Sequence, residues 1–226
     1  MQVNEAHVLG LYEANAGAVV PQYESVSPAT LHLWLRDLLP GRPAAVLDVG
    51  AGTGRDAAWL ASLGHEVVAA EPAAAMRREA ARLHPDPRIR WTEDALPDLS
   101  GVLRCGLSFD FVLASAVWQH VHPSQRARAF RKMVSVLKPG GVLAVTLRHG
   151  PGTDGRGMHA VSAARNWAPS PGKRFLLMRQ TIPSHRPGAI RHPRVPAIQA
   201  PDRIHTAKAA DAEVRWWAAF AATGQG

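Results

Sequence analysis

Between residues 44 and 146 the chain alternates short apolar runs with stretches in which apolar side chains recur every three or four positions. The short runs predict β-strands, and the helical spacing predicts α-helices between them. The predicted strands cover residues 44–49, 66–70, 89–92, 109–114 and 141–146, and the predicted helices cover residues 8–20, 28–39, 55–63, 73–83 and 124–136. This alternation predicts an α/β fold, with a doubly wound, mainly parallel sheet and helices on both faces.

The apolar periodicity fades after about residue 165. Residues 151–226 hold 8 of the 18 prolines, and only residues 214–220 there have the character of a strand. We therefore predict a folded domain over residues 1–165 and an atypical, Pro- and Arg-rich tail over residues 166–226 that is at least partly disordered or degenerate. Two interpretations of the tail stay open: a shifted or degenerate sequence that leaves an incomplete sheet edge, and a genuine basic arm.

The formal net charge of +8 is concentrated in the same tail. Residues 1–150 carry 15 Lys or Arg against 14 Asp or Glu, whereas residues 151–226 carry 11 against 4. The tail's basic residues are scattered and its aromatic residues are few, so we do not expect a nucleic-acid partner. A single cysteine, Cys105, excludes an internal disulfide, and neither a signal peptide nor an apolar run of membrane-spanning length is present. These features predict a cytoplasmic protein without a membrane partner.

A glycine-rich turn, VLDVGAGTGRD, follows the first predicted strand. Gly50, Gly52 and Gly54 allow the backbone to turn tightly and to approach a ligand closely. The spacing is G-x-G-x-G, not the G-x-G-x-x-G of dinucleotide sites, because Arg55 stands three residues after Gly52. Asp48 favours a positively charged ligand such as a sulfonium over a pyrophosphate. The turn therefore favours S-adenosylmethionine over NAD.

Four further segments follow this turn in order: EVVAAEP at 66–72, WTEDALP at 91–97, FDFVLASAVWQH at 109–120 and LKPGGVL at 137–143. With the glycine turn, they resemble the motifs of class I S-adenosylmethionine-dependent methyltransferases over roughly residues 8–164. The resemblance implies a Rossmann-like fold, S-adenosyl-L-methionine as the cofactor and methyl transfer as the reaction. In similar enzymes a helix and an antiparallel strand pair come next, and here the basic tail stands in their place.

The resemblance also assigns roles to individual residues. It implies that Glu71 binds both ribose hydroxyls and that Asp94 binds the adenine amino group. The N-terminal helices of similar enzymes lie over the cofactor, which places Tyr12, Tyr23 and Glu24 near the methionine moiety, although core packing is an equal alternative for the tyrosines. The cofactor-binding residues implied in this way are Tyr23, Asp48, Gly50, Ala51, Gly52, Glu71, Pro72, Asp94, Ala95, Leu96 and Ser115.

His120, just past the fourth strand, is our candidate for a catalytic base. An imidazole suits proton abstraction near neutral pH, and the position opens onto the ligand crevice of the predicted sheet. The alternative is that His120 caps or orients this loop. We interpret Trp118 and Gln119 as pocket wall.

The sequence lacks the motifs typical of base-modifying and cytosine-C5 methyltransferases, and it lacks clustered carboxylates for a metal. We therefore predict a small-molecule methyl acceptor and no metal, and the sequence sets no oligomeric state. Two alternatives stay open. One is a cofactor-binding but catalytically impaired module, and the other is a methyltransferase that acts on nucleic acid through its basic tail.

Overall fold

The computed structural model describes residues 3–149, 157–161 and 174–181. Its six strands form one sheet in the order β3-β2-β1-β4-β5-β6, and every neighbouring pair is parallel. The strands are β1 Ala45–Val49, β2 Glu66–Ala70, β3 Ile89–Thr92, β4 Phe109–Ala114, β5 Leu137–His149 and β6 Arg174–Thr181. The predicted mainly parallel α/β architecture is confirmed.

Six helices connect or flank these strands: α1 Val3–Glu24, α2 Pro28–Leu31, α3 Arg55–Ser62, α4 Ala74–Leu83, α5 Ser100–Arg104 and α6 Arg126–Ser135. Short 3-10 turns cover Leu33–Leu35, Trp118–His120 and Pro123–Gln125. None of the helices in the described part of the chain combines the length and the apolar character needed to cross a membrane.

The predicted helix 28–39 is wrong in its second half. Ser27 caps α2 as expected by accepting a hydrogen bond from the Thr30 amide, and Pro28 occupies the first turn. At His32 the backbone leaves the α-helical region, with φ −106° and ψ 22°, and the chain continues as a 3-10 turn. The His32 side chain is buried against α3, so a tertiary contact overrides the helical periodicity at this point.

Successive residues of β1 pack on opposite faces of the sheet. Leu47 and Val49 of β1 belong to a core cluster with residues of α5 and α6, whereas Val46 belongs to a second cluster with residues of α3. Because both faces are covered, the strands are almost wholly apolar, which is why their pattern identified them. The helices therefore lie on both faces, as predicted.

The strand order creates a crevice at the carboxyl edge of the sheet. The chain runs outward from β1 to β3 and then returns to place β4 on the other side of β1. Loops at such a reversal diverge and leave room for a ligand. Apart from Asp48, which lies within β1, the candidate residues along β1 to β4 follow the carboxyl ends of strands or lie in these loops.

The far side of the sheet departs from the expected pattern. Strand β5 begins at Leu137, and its register with β4 shifts between Phe109 and Phe111. Strand β6 pairs in parallel with β5, although the sequence pattern predicted no strand at residues 174–181. The predicted strand at 214–220 and most of the predicted tail lie outside the described residues, and the boundary near residue 165 stays a prediction.

Candidate cofactor and acceptor site

The glycine loop after β1 is anchored to both neighbouring strands. The amides of Gly50 and Ala51 donate to the Ala70 carbonyl of β2, at 2.8 and 3.0 Å. Gly50 has φ +70°, and a Cβ there would lie 2.7 Å from Cγ2 of Val117, which follows β4. Only glycine permits this left-handed backbone with such a close neighbour. The loop is thereby held at the point where the crevice opens.

Glu71 joins the end of β2 to the glycine loop. Its Oε2 accepts a hydrogen bond from the Gly52 amide and its Oε1 accepts one from the Ala73 amide, both at 2.9 Å. Burial raises the pKa of this carboxyl group, while the two amides and Arg77 act in the opposite direction. A carboxylate offers about four acceptor positions, so about two stay available to a ligand.

Gly52 is less tightly packed than Gly50. A Cβ added at Gly52 would lie 3.9 Å from Met76 Cε, an ordinary van der Waals distance, in contrast to the 2.7 Å contact at Gly50. A buried carboxylate with acceptor positions beyond the two amides that it already binds matches a ligand with two neighbouring hydroxyl groups. The residues present therefore fit a ribose.

Asp48 lies behind the glycine loop, not within it. The residue is 1% exposed, and its Oδ2 has no hydrogen-bond partner among the described residues. Burial, followed by the nearby charge of Asp56, raises its pKa well above the usual value. The raised pKa favours a neutral carboxyl group, so the attraction for a sulfonium is weaker than the sequence implied. A role for Asp48 in cofactor binding stays a prediction.

The segment after β3 caps a helix that the sequence did not predict. Asp94 accepts hydrogen bonds from the amides of Ala95 and Val102, at 2.9 and 2.8 Å, and so positions α5. Leu96 is half-buried beside Ala95, which is exposed. The adenine contacts of this segment stay predictions.

Helix α1 is fastened to the carboxyl edge through several contacts. Glu13 accepts hydrogen bonds from the amides of Ala74 and Ala75, the first two residues of α4. Negative charge at the start of a helix is stabilising, because those amides lack partners within the helix. Tyr23 is 37% exposed, and its main-chain carbonyl accepts a hydrogen bond from Arg55 Nη1 of α3 at 3.1 Å. This bond also connects α1 to the carboxyl edge.

The other predicted residue of the second motif, Pro72, also contributes a backbone atom. Its carbonyl and that of Glu71 accept hydrogen bonds from Arg77 Nη1 of α4, at 2.8 and 2.6 Å. Arg77 Nη2 in turn binds Glu93 at 2.7 Å. This arginine ties the ends of β2 and β3 to the same helix.

The loop after β4 carries the candidate base. Ser115 is half-buried, and Ala116 adopts a left-handed backbone with φ +54°, with its amide donating to Thr146 Oγ1 of β5 at 2.7 Å. A non-glycine residue in this region is strained, and such strain is concentrated at functional loops. His120 lies two residues past Trp118, which is buried.

Tyr12 of α1 meets His120 across this loop. The Tyr12 hydroxyl and His120 Nε2 are 3.4 Å apart, and the two rings pack edge to face with centroids at 5.9 Å. The structure thus brings the predicted base together with a tyrosine that the sequence placed over the methionine moiety.

A buried ion-pair network beneath the glycine loop escaped the sequence analysis. His32 Nε2 lies 2.9 Å from Asp56 Oδ2, and Arg55 Nε donates to Asp56 Oδ1 at 2.8 Å. Burial opposes ionisation of Asp56, but the hydrogen bonds and charges of His32 and Arg55 hold its pKa well below the usual range. The Arg-Asp pair after Gly54 was visible in the sequence, whereas its histidine, 24 residues upstream, carried no local signal.

Comparison with known proteins gives three findings. Residues 46–141 match the family model described as a methyltransferase domain. An uncharacterized methyltransferase of Mycobacterium bovis is 34% identical over 128 residues, which are 56% of this chain and 49% of that protein, and one of Mycobacterium tuberculosis gives the same values. The structure of DhpI in complex with SAH superposes with a TM-score of 0.50 at 21% identity, covering 77% of this chain and 69% of that one.

Residues 46–141 therefore match a methyltransferase domain model, in the stretch that holds the motifs noted in the sequence. The identity with the mycobacterial proteins supports the methyltransferase assignment, and the DhpI superposition supports the fold. The alignment spans about half the length of the curated relatives.

Proposed function

We propose that this protein binds S-adenosylmethionine at the carboxyl ends of β1, β2 and β3. It transfers the methyl group to a small-molecule acceptor at the ends of β4 and β5. The observation that carries this proposal is the bridge from Glu71 to the Gly52 amide, because it holds a carboxylate with remaining acceptor positions against the glycine loop at the carboxyl edge. The single cysteine is in keeping with a reducing compartment such as the cytoplasm as the place of action.

Most of the predicted residues then have a task. Glu71 accepts hydrogen bonds from the two ribose hydroxyls, the glycine loop lies along the cofactor, and Asp94 binds the adenine amino group. Ala95 and Leu96 line the ring, and Ser115 lies near the methionine moiety. S-adenosylmethionine supplies an electrophilic methyl group on a sulfonium.

The chemistry asks mainly for alignment of the acceptor with the methyl group. As the bond from the acceptor's nucleophilic atom to the methyl carbon forms, the sulfur–methyl bond breaks and leaves a neutral thioether. His120 takes the proton from an oxygen or nitrogen acceptor, and Tyr12 orients the imidazole through the contact at 3.4 Å.

Calorimetry with the full chain tests the cofactor assignment. We expect S-adenosylhomocysteine to bind and NAD not to bind. Saturation at about 100 times the dissociation constant should add about 2.7 kcal/mol to the free energy of unfolding. A melting temperature unmoved by millimolar S-adenosylhomocysteine contradicts the proposed cofactor site.

A screen of small molecules for methyl transfer tests the activity, and His120→Gln tests the base. Loss of a general base should lower kcat about 10²- to 10⁴-fold, with unchanged affinity for S-adenosylhomocysteine. His7→Gln, at an exposed position of α1, is the matched control. Cofactor binding without turnover of any acceptor supports an impaired module instead.

A further inference from the structure

The two halves of the carboxyl edge carry opposite charge. Acidic residues are concentrated where β1, β2 and β3 end, namely Asp48, Asp56, Glu71, Glu93 and Asp94. In contrast, the sequence from residue 111 to residue 153 contains no Asp or Glu, but six Lys or Arg and three His. This stretch includes β5 and the loop after β4. Of these cations, Arg126 stands at the start of α6, directly after the loop that follows β4.

Three side chains from this half form what we call the basic cluster: His122, Arg126 and His159. The rings of His122 and His159 pack edge to face, with centroids 5.0 Å apart. Arg126 Nε donates to the Val121 carbonyl at 3.1 Å, and its Nη2 donates to the Ala160 carbonyl at 3.0 Å. The cluster thus joins the loop after β4 to the segment that follows β5.

The charge of Arg126 is compensated only by carbonyl oxygens. No carboxylate of the described residues lies within 4.0 Å of its guanidinium, whereas Arg128, two positions later, pairs with Asp98 at 2.7 Å. Arg126 is half-buried, and burial lowers its pKa. A partly desolvated cation without a counter-ion is unfavourable, and a bound anion would offset this cost.

The pKa of His159 is affected by the charges of the same cluster. Burial lowers this pKa, and the positive charges of His122 and Arg126 lower it further. Among the described residues, Glu13 binds the α4 amides, and Asp110, at the amino end of β4, pairs with Lys138 at 2.8 Å. The charge of the Arg126 guanidinium can thus attract an anionic ligand.

The basic cluster adjoins the proposed reaction centre. The His159 amide donates to the Gln119 carbonyl at 2.8 Å, and Gln119 is the neighbour of His120 in the chain. The same loop touches the glycine loop through Val117, which lies against Gly50. His122 of the cluster lies two residues past His120 in the chain.

We propose that the methyl acceptor is a small anion, whose carboxylate or phosphate group binds the basic cluster while its nucleophilic atom faces His120. This inference rests on the proposed function and adds the chemical class of the acceptor.

Matched pairs of an anion and its neutral counterpart test the proposal by calorimetry on the full chain saturated with S-adenosylhomocysteine. The probes are salicylate against salicylamide and phenyl phosphate against phenol, and the two pairs distinguish a carboxylate site from a phosphate site. We expect at least one anion to bind tenfold or more tightly than its neutral counterpart. Arg126→Gln and His159→Asn should each weaken that anion about tenfold and leave the neutral probe unchanged.

Arg128→Gln is the matched control, because it removes the same charge from an arginine that is 52% exposed at its side chain and already paired. Equal binding of anion and neutral probe, binding of neither, or an equal loss in Arg128→Gln overturns the proposal. Binding of S-adenosylhomocysteine is measured first in each sample. If S-adenosylhomocysteine does not bind, the proposed cofactor site is contradicted. If it binds but no anion is preferred over its neutral counterpart, only the proposal for the basic cluster is contradicted. Arg126→Lys, which retains the charge, should retain most of the preference if the variants fold.

Discussion

Replacement of Glu71 by Gln should lower both the stability of the free protein and its affinity for the cofactor product. The wild-type carboxylate accepts hydrogen bonds from Gly52 and Ala73 at 2.9 Å each. A glutamine amide can accept only one of these, and its NH2 group faces the other amide. The sequence alone suggested an effect on binding far larger than the effect on the fold, and the structure adds a direct contribution to stability.

The size of the effect follows from these two contacts. A hydrogen bond to a charged group contributes about 1.5–3 kcal/mol. Part of this loss is offset, because glutamine removes a charge whose burial is unfavourable, as the raised pKa of Glu71 indicates. We expect the free energy of unfolding to fall by about 1–3 kcal/mol. Each kcal/mol corresponds to about 2–4 °C in the melting temperature of a domain of this size.

Thermal melts of the free protein and calorimetry with S-adenosylhomocysteine measure the two effects separately. The dissociation constant should rise roughly 10- to 150-fold, which corresponds to the loss of about 1.5–3 kcal/mol of binding energy. Glu66→Gln, at the exposed amino end of the same strand, is the control. A Glu71→Gln protein that melts and binds like the wild type would refute the bridge between β2 and the glycine loop.

Three further predictions concern single residues. Gly50→Ala should destabilise the fold by about 2–4 kcal/mol, because of left-handed backbone strain and the contact with Val117. Gly52→Ala should lower stability by about 1–2 kcal/mol and mainly weaken cofactor binding. Chemical denaturation measures stability and calorimetry measures binding, and equal losses of stability in the two variants would contradict the difference in packing. The pKa of Asp56 is lowered in the folded protein, so its contribution to stability is present above the usual pKa of 3.8 and is lost as the pH falls below that value. Asp56→Asn should be less stable than the wild type at neutral pH, and its free energy of unfolding should change less between about pH 5 and 3. Urea midpoints across this range measure both effects. Burial lowers the pKa of His65 from 6.5, so stability is lost as the pH falls below 6.5; His65→Leu should reduce this loss, and an unchanged pH profile would show that His65 is not its source.

The sheet was predictable because its strands are short, apolar and covered on both faces. The predicted bounds of β2, β3 and β4 coincide with the observed ones. The elements that were missed lack such a local signal. Helix α5 has five residues, and it depends on Asp94 as an outside acceptor. Strand β6 lies in a segment whose composition indicated a tail.

The candidate site was predictable where a ligand imposes a local pattern. Gly50 and Glu71 both follow strand ends at motif spacing, and the structure connects their loops directly. The contacts of Glu13 with α4 and of His159 with Gln119 join residues far apart in sequence. The sequence contains these residues, but only the strand order places them at one edge.

The two carboxylates that fasten the cofactor half have a consequence for comparing relatives. Glu13 and Glu71 bind main-chain amides, at Ala74 and Ala75 in one case and at Gly52 and Ala73 in the other. An amide is present whatever side chain its residue carries. We therefore expect a covariation search across homologues to find no partner position for Glu13, even where the contact is retained. Retention of an acidic residue at this place in α1 would be the only trace that such a search could follow.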